Sequence, residues 1–310
     1  MHKASFESKN STFVLSRSFY AGSQRWGAVW TGDNKADWSH LKISVPMLLT
    51  LGIVGIPFAG ADVGGFFGDP EPELLARWYQ TGALMPFFRG HSHIETKRRE
   101  PWLVPQPYKQ VIKSAIRLRY QLIPFIYSLF HEAHNTGKPI MRAMIQVFPE
   151  MPIVLDDQFM LGDSLLHKPI ALRHQESILT VLPNLRFYDF FSGELSTGNY
   201  ENLNITDMIL LVREGRIIPI KEKHRRNTTA MSKDPYTLII ALDKNMEASG
   251  SLYLDNGTDH DKFNMILLNY SNGGLKIHYS SRAFEEKNKI SKLIFYSEER
   301  RKERQVDITI

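Results

Sequence analysis

The sequence predicts an α/β first part with a parallel sheet, followed by an all-β second part. Two textures carry that reading. Over residues 1–150, short apolar runs alternate with helix-patterned stretches, as in βα units around a parallel sheet. From about Met151 onward, strand-length runs succeed one another with only turn signals between them, as in β-sandwich modules. A third observation is composition. With 43% hydrophobic and 23% charged residues over 310 positions, the chain is a folded globular protein of about two domains.

Taken in order, buried strands are expected at 13–16 (FVLS), 28–30 (AVW), 53–58 (IVGIPF) and 140–145 (IMRAMI). Between the last two, residues 108–134 repeat apolar positions at helical spacing: Val111, Ala115, Ile116, Tyr120, Ile123, Ile126, Tyr127 and Phe130. Pro124 should kink that helix, and Gly137 followed by Pro139 should stop it. Further strands are expected at 187–191, 208–212, 216–220, 236–242, 251–254, 265–270, 275–279 and 293–296, with Asn272-Gly273-Gly274 as a hairpin turn. The loop 221–234 is expected to divide the second part, giving units at 151–225 and 226–310.

Composition excludes several classes. With no cysteine, neither a disulfide scaffold nor a cysteine-ligated metal centre can form. The net charge of +5 is thinly spread. The basic runs 221–226 (KEKHRR) and 298–304 (EERRKER) read as solvated surface loops, so no nucleic-acid partner is expected. The longest apolar stretch, 45–59, is shorter than the ~20 residues of a membrane span and contains prolines. The amino-terminal residues lack the apolar core of a signal peptide. Asn-x-Ser/Thr sequons at Asn10, Asn204, Asn227, Asn256 and Asn269 are nonetheless compatible with a lumenal life.

The chemistry follows the apolar runs. Arg17 comes directly after FVLS, Asp33 follows AVWTG, Asp62 follows IPFAGA and His91 follows LMPFFRG. In a parallel barrel the C-terminal strand ends share one face, so these four would converge. Local roles compete: Asp33 and Asp62 as cap or turn aspartates, Arg17 as a surface cation, His91 as a loop histidine. The aromatics Trp26, Trp30, Phe66, Phe87 and Phe88 favour a shared pocket. Its composition suits a sugar, whose ring face stacks on aromatics while its hydroxyls take charged hydrogen bonds. His131-Glu132-Ala133-His134 is one residue short of a zinc-protease motif, and His91, His93 and Glu95 have no further ligand cluster. The glycine-rich 60–68 matches no Walker or Rossmann pattern.

Three segments carry a resemblance: 17–49 (RSFYAGSQRWGAVWTGDNKADWSHLKISVPMLL), 55–91 (GIPFAGADVGGFFGDPEPELLARWYQTGALMPFFRGH) and 96–102 (TKRREPW). They resemble glycoside hydrolase family 31, in particular its neutral α-glucosidases. Shorter matching pieces stand at 139–142, 157–166, 188–190 and 253–257. The resemblance implies that residues 1–150 are the C-terminal portion of a (β/α)8 catalytic barrel, followed by β-sandwich domains. It implies a retaining α-glucosidase with Asp33 as general acid/base. Arg17 and His91 would contact the sugar of the cleaved subsite, Trp30 and Phe66 would line the pocket, and Asp62 would form its wall. The implied substrate is an α-glucoside or glucosylated glycan, and no cofactor is needed. For a member of the glucosidase II kind, the resemblance also implies a regulatory β subunit and the endoplasmic reticulum lumen, with the cytoplasm as the alternative. The family's nucleophile motif, W-x-D-M-N-E, does not occur in the chain, and neither Asp62 nor Asp69 is expected to replace it. The chain is therefore expected to be a C-terminal piece, inactive alone. The competing expectation is a non-catalytic carbohydrate-binding product. Arg213-Glu214-Gly215 stands where the family usually has a glycine pair.

Overall fold

The computed structural model describes residues 13–257, 261–285, 288–298 and 301–310; the sequon at Asn10 lies outside them. Strands β1 (Leu15–Ser16), β2 (Ala28–Trp30) and β3 (Ala59–Gly60) pair in parallel, with Leu15 opposite Ala28 and Val29 opposite Ala59. One residue further on, β4 (Asp62–Val63) pairs in parallel with β5 (Arg89–Gly90). The result is an arc of parallel strands, part of a (β/α)8 barrel.

Parallel neighbours need crossovers, and two helices supply them. Helix α1 (Trp38–Ile53) starts on Asp37, whose carboxylate accepts the Ser39 N–H at 2.7 Å. It buries Val45, Leu48 and Leu49 in the same core as Val29 and Ala59. Helix α2 (Pro72–Gly82) opens with proline in its first turn, where no N–H is needed, and buries Leu74, Leu75 and Trp78.

The long helix expected at 108–134 is two helices, α3 (Tyr108–Gln121) and α4 (Ile123–Thr136), broken at Leu122. Pro124 sits in the first turn of α4, having no N–H for the carbonyl four residues earlier. Gly137 ends α4 in the left-handed conformation (φ 75°), and its N–H reaches the Ala133 carbonyl at 2.9 Å.

Three sequence expectations are corrected. The run 53–58 is not a strand. The buried face of α1 continues through Leu48, Leu49 and Gly52, leaving Ile53 and Val54 exposed, and pairing begins only at Ala59. In 140–145, only β6 (Met141–Ala143) is strand. It pairs antiparallel with β7 (Phe159–Leu161) and runs into the short helix α5 (Met144–Val147). In 298–304, Lys302 onward is not a loop but the start of an edge strand, whose outward side chains can carry charge.

The second part is built from sheets. A five-stranded sheet has the order β10 (Phe187–Asp189), β12 (Ile209–Arg213), β8 (Leu165–Lys168), β7 and β6. Beside it, β9 (Ile178–Leu179) pairs with β11 (Asn199–Tyr200). A seven-stranded sheet follows. Its members in chain order are β13 (Arg216–Ile220), β14 (Tyr236–Ala241), β15 (Ala248–Asp255), β16 (Phe263–Ser271), β17 (Gly274–Arg282), β18 (Lys289–Tyr296) and β19 (Lys302–Thr309). The hairpin at Asn272-Gly273 joins β16 to β17 with positive φ at both residues. The two large sheets part at Glu214–Gly215, between β12 and β13, and not within 221–234. That loop instead carries helix α6 (Thr228–Ser232), and Lys221 is buried under it, donating to the Met231 and Ser232 carbonyls.

One apolar core joins the two parts. It runs from Val29 and Ala59 in the arc, through Phe125 and Leu129 of α4, to Tyr188, Ile239 and Ile294 in the sheets. Among the described residues, no helix is long and apolar enough to cross a membrane.

Candidate active site

The residues after each arc strand meet at one end of the barrel portion. Beyond β1, Arg17 Nη1 donates to Asp33 Oδ2 at 3.0 Å. Asp33 stands three residues past β2, in a segment fixed by the Thr31 N–H to the Gly60 carbonyl at 3.1 Å. Gly32 makes this approach feasible. Its φ is 82°, and a Cβ there would lie 3.2 Å from the Arg17 guanidinium. The cap of α1 is Asp37, so Asp33 is free of that duty.

Asn34 ties this segment to the next. Its Nδ2 donates to the Asp62 carbonyl at 3.1 Å, and its Oδ1 accepts the Phe66 N–H at 2.9 Å. Asp62 is wholly buried and takes a hydrogen bond from Arg89 Nη2 at 2.5 Å. The Arg89 guanidinium lies 5.3 Å from the Trp30 ring and 5.3 Å from the Phe87 ring. His91 sits beside Phe66, with ring centroids 5.2 Å apart. Arg99 binds the two walls together, donating to the carbonyls of Gly64, Gly65 and His91.

Burial pushes the Asp62 carboxyl above its ordinary range. Arg89 and His91 pull it down, nearby Asp33 pushes it up, and burial wins. Asp62 Oδ2 and Trp30 Nε1 are both buried without a hydrogen-bond partner. Neither atom is paired within the protein, and the Arg89 guanidinium lies between their two residues, bonded to Asp62 and set against the Trp30 ring.

All six residues singled out from the sequence, Arg17, Trp30, Asp33, Asp62, Phe66 and His91, thus belong to one connected cluster. Phe87 joins it through Arg89. Phe88 does not: its ring packs edge-on against Tyr79 at 5.9 Å. Trp26 is 53% exposed at the rim. Asp69 turns away and accepts the Lys97 N–H at 2.8 Å. The 131–134 motif is structural: His131 stacks on Tyr253 at 4.1 Å and Glu132 pairs with Arg142 at 2.5 Å. Among the described residues, no three His, Asp or Glu side chains are grouped as a metal would need.

Sequence reasoning missed Asn34, Arg89 and Arg99. All three lie inside the matching segments, but their distinguishing contacts are made to residues 27–35 positions away.

Comparison with known proteins gives a consistent picture. Residues 1–129 match the model of the glycosyl hydrolases family 31 TIM-barrel domain, and residues 137–218 match that of the glycosyl hydrolase family 31 C-terminal domain. A probable glucan 1,3-alpha-glucosidase of Oryza sativa subsp. japonica is 49% identical over 261 residues, which are 82% of this chain and 28% of that protein. Human neutral alpha-glucosidase AB is 47% identical over 252 residues, 79% of this chain and 27% of that protein. The crystal structure of an ER glucosidase II heterodimeric complex, of catalytic subunit and binding domain of the regulatory subunit, superposes with a TM-score of 0.85 at 39% identity. It covers 91% of this chain and 33% of that one. The chain therefore spans under a third of the length of these curated relatives.

Proposed function

The chain belongs to glycoside hydrolase family 31, and from that premise we propose that its strand-end cluster is the acid/base side of a retaining α-glucosidase site. Asp33 protonates the leaving glycosidic oxygen and then takes the proton of the incoming water. Arg17 holds the Asp33 carboxylate and, with His91, hydrogen-bonds the hydroxyls of the cleaved sugar. Trp30 and Phe66 stack on its apolar faces. Asp62, buried behind them, anchors the Arg89 guanidinium against Trp30.

A retaining mechanism needs a second carboxylate ~5–5.5 Å from the acid. The 310 residues contain no W-x-D-M-N-E motif. We assign that nucleophile to polypeptide outside them. The similarity to a glucan 1,3-alpha-glucosidase and to a glucosidase II catalytic subunit supports terminal α-linked glucose of a glycan as substrate. It also supports a regulatory β subunit as partner and the endoplasmic reticulum lumen as the place of work. The observation that carries the reading is the Arg17–Asp33 pair beside the buried Asp62 and Trp30.

The test is Asp33→Asn in the full-length protein, assayed on an aryl α-glucoside. Turnover should fall on the order of 10³-fold, the scale of losing an acid/base group. Undiminished turnover would remove Asp33 from the chemistry. The missing motif favours one other reading, a non-catalytic carbohydrate binder. Saturable binding of 1-deoxynojirimycin by a wild-type protein that turns over no α-glucoside would establish it.

A further inference from the structure

A cavity of about 490 Å³ lies outside the strand-end cluster and shares no residue with it. Its walls come from α1 (Lys42, Val45), from β8 and the loop after it (Lys168 to Ser177), and from the β9–β11 pair. The volume is that of an ordinary small-molecule site.

Four observations show what it would hold. Asp157 Oδ1 and Gln175 Oε1, both of lining residues, are buried acceptors with no hydrogen-bond partner. Each unpaired acceptor is costly, and only a donor relieves it. Charge is balanced: Lys42 and Lys168 face Asp157 and Glu201, with Lys168 Nζ 2.6 Å from Asp157 Oδ2. Leu172 and Leu179 add an apolar part of the lining and are 52% and 62% exposed. The loop that carries Gln175 is held in place. Arg173 pairs with Glu71 at 2.8 Å, and His174 pairs with Glu73 at 2.8 Å. His174 itself is held at φ 50°, a conformation that non-glycine residues adopt at a cost.

An anion would meet Asp157 and Glu201. A hydrocarbon would strand two lysines and two carboxylates. A neutral ligand with many O–H donors and one apolar face satisfies every wall. We propose that this cavity is a second, non-catalytic carbohydrate site, sized for one or two neutral glycosyl units. It would hold a distal part of a glycan, and its geometry does not depend on the chemistry assigned to Asp33.

The test uses the full-length protein carrying Asp33→Asn, so that sugars persist, with the catalytic cleft saturated by 1-deoxynojirimycin. Maltose is then titrated by calorimetry. One further saturable equivalent should bind. Ser177→Trp, an exposed position that would fill the cavity mouth, and Gln175→Leu, which removes the unpaired acceptor, should each weaken that binding at least tenfold. In the full-length protein that keeps Asp33, both should leave aryl α-glucoside turnover unchanged. If Ser177→Trp fails to fold, Gln175→Leu decides. Absence of maltose binding with the cleft blocked, or binding indifferent to both variants, overturns the proposal. Failure of the glycosidase reading appears separately, as aryl α-glucoside turnover that survives Asp33→Asn.

Discussion

The arc and the seven-stranded sheet differ in what their strands are for. Arc strands are two or three residues long, and Arg17, Asp33 and His91 stand within three residues of the ends of β1, β2 and β5. The sheet's strands run from five to nine residues, in long ladders with register shifts in the β14–β18, β16–β17 and β18–β19 pairings. Next to the arc, Asp62 Oδ2 and Trp30 Nε1 remain buried and unpaired. In the sheet, the apolar residues Leu238, Ile240, Leu252, Ile266 and Leu268 pack into one cluster. The difference teaches that one chain separates two tasks. The sheet accumulates apolar burial, and the arc gathers charged and aromatic groups at its strand ends.

That separation can be broken by substitution. The largest contrast is Asp33→Asn against Leu238→Ala. The first should remove on the order of 10³-fold of the full-length protein's turnover while leaving its melting temperature unmoved, because the side chain makes one partly exposed ion pair. The second empties a fully buried leucine site, and should cost about 3 kcal/mol of stability with kcat/KM intact at a permissive temperature. A fall in both quantities for either variant would end the comparison.

A smaller effect sharpens it through pH. The folded-state pKa of Asp62 is raised above 3.8. Its proton is therefore held more tightly in the folded state than in the unfolded one. The associated stability is fully present below 3.8 and is lost as pH rises through the folded value. Compared with Asp62→Asn, the wild-type protein should lose denaturant midpoint as pH rises from 3.8 towards neutrality. Parallel curves for the two proteins would show that Asp62 does not titrate in this way. The smallest effect is expected for Tyr296→Phe, which deletes the buried hydroxyl donating to the Phe190 carbonyl at 2.7 Å. It should cost about 1 kcal/mol and leave activity alone.

Much of this was legible in the sequence where pattern and local chemistry agree. The glycine stop at Gly137 and the hairpin at Asn272-Gly273 announce themselves, because positive φ selects few residues. Strand β14 stands out as an unbroken run of β-branched, aromatic and apolar residues. Residues 53–58 misled because a short apolar run has no period of its own, and the helix before it simply continued. The charged start of β19 misled because an edge strand needs only one apolar face. The strand-end rule singled out Arg17, Asp33, Asp62 and His91, which the fold brings into one cluster. It could not find Arg89 or Asn34, whose importance rests on contacts across the fold. The second cavity was invisible for the same reason: its walls are assembled from residues as far apart as Lys42, Asp157 and Asn199.

Arg99 has a consequence for how such a site can change over evolutionary time. Its guanidinium takes three carbonyls, two from the loop after β4 and one from the loop after β5. Charge-assisted bonds of this kind lock main chain irrespective of the side chains that the main chain carries. The two loops are therefore tied to one another through a single guanidinium, and opening this wall would cost those bonds. On the proposed function, a lineage that comes to accept a bulkier sugar here would do so by trimming side chains such as Phe66 or His91. The loop backbone would stay where it is, and ancestral and descendant enzymes would superpose at this corner while differing in what they cut.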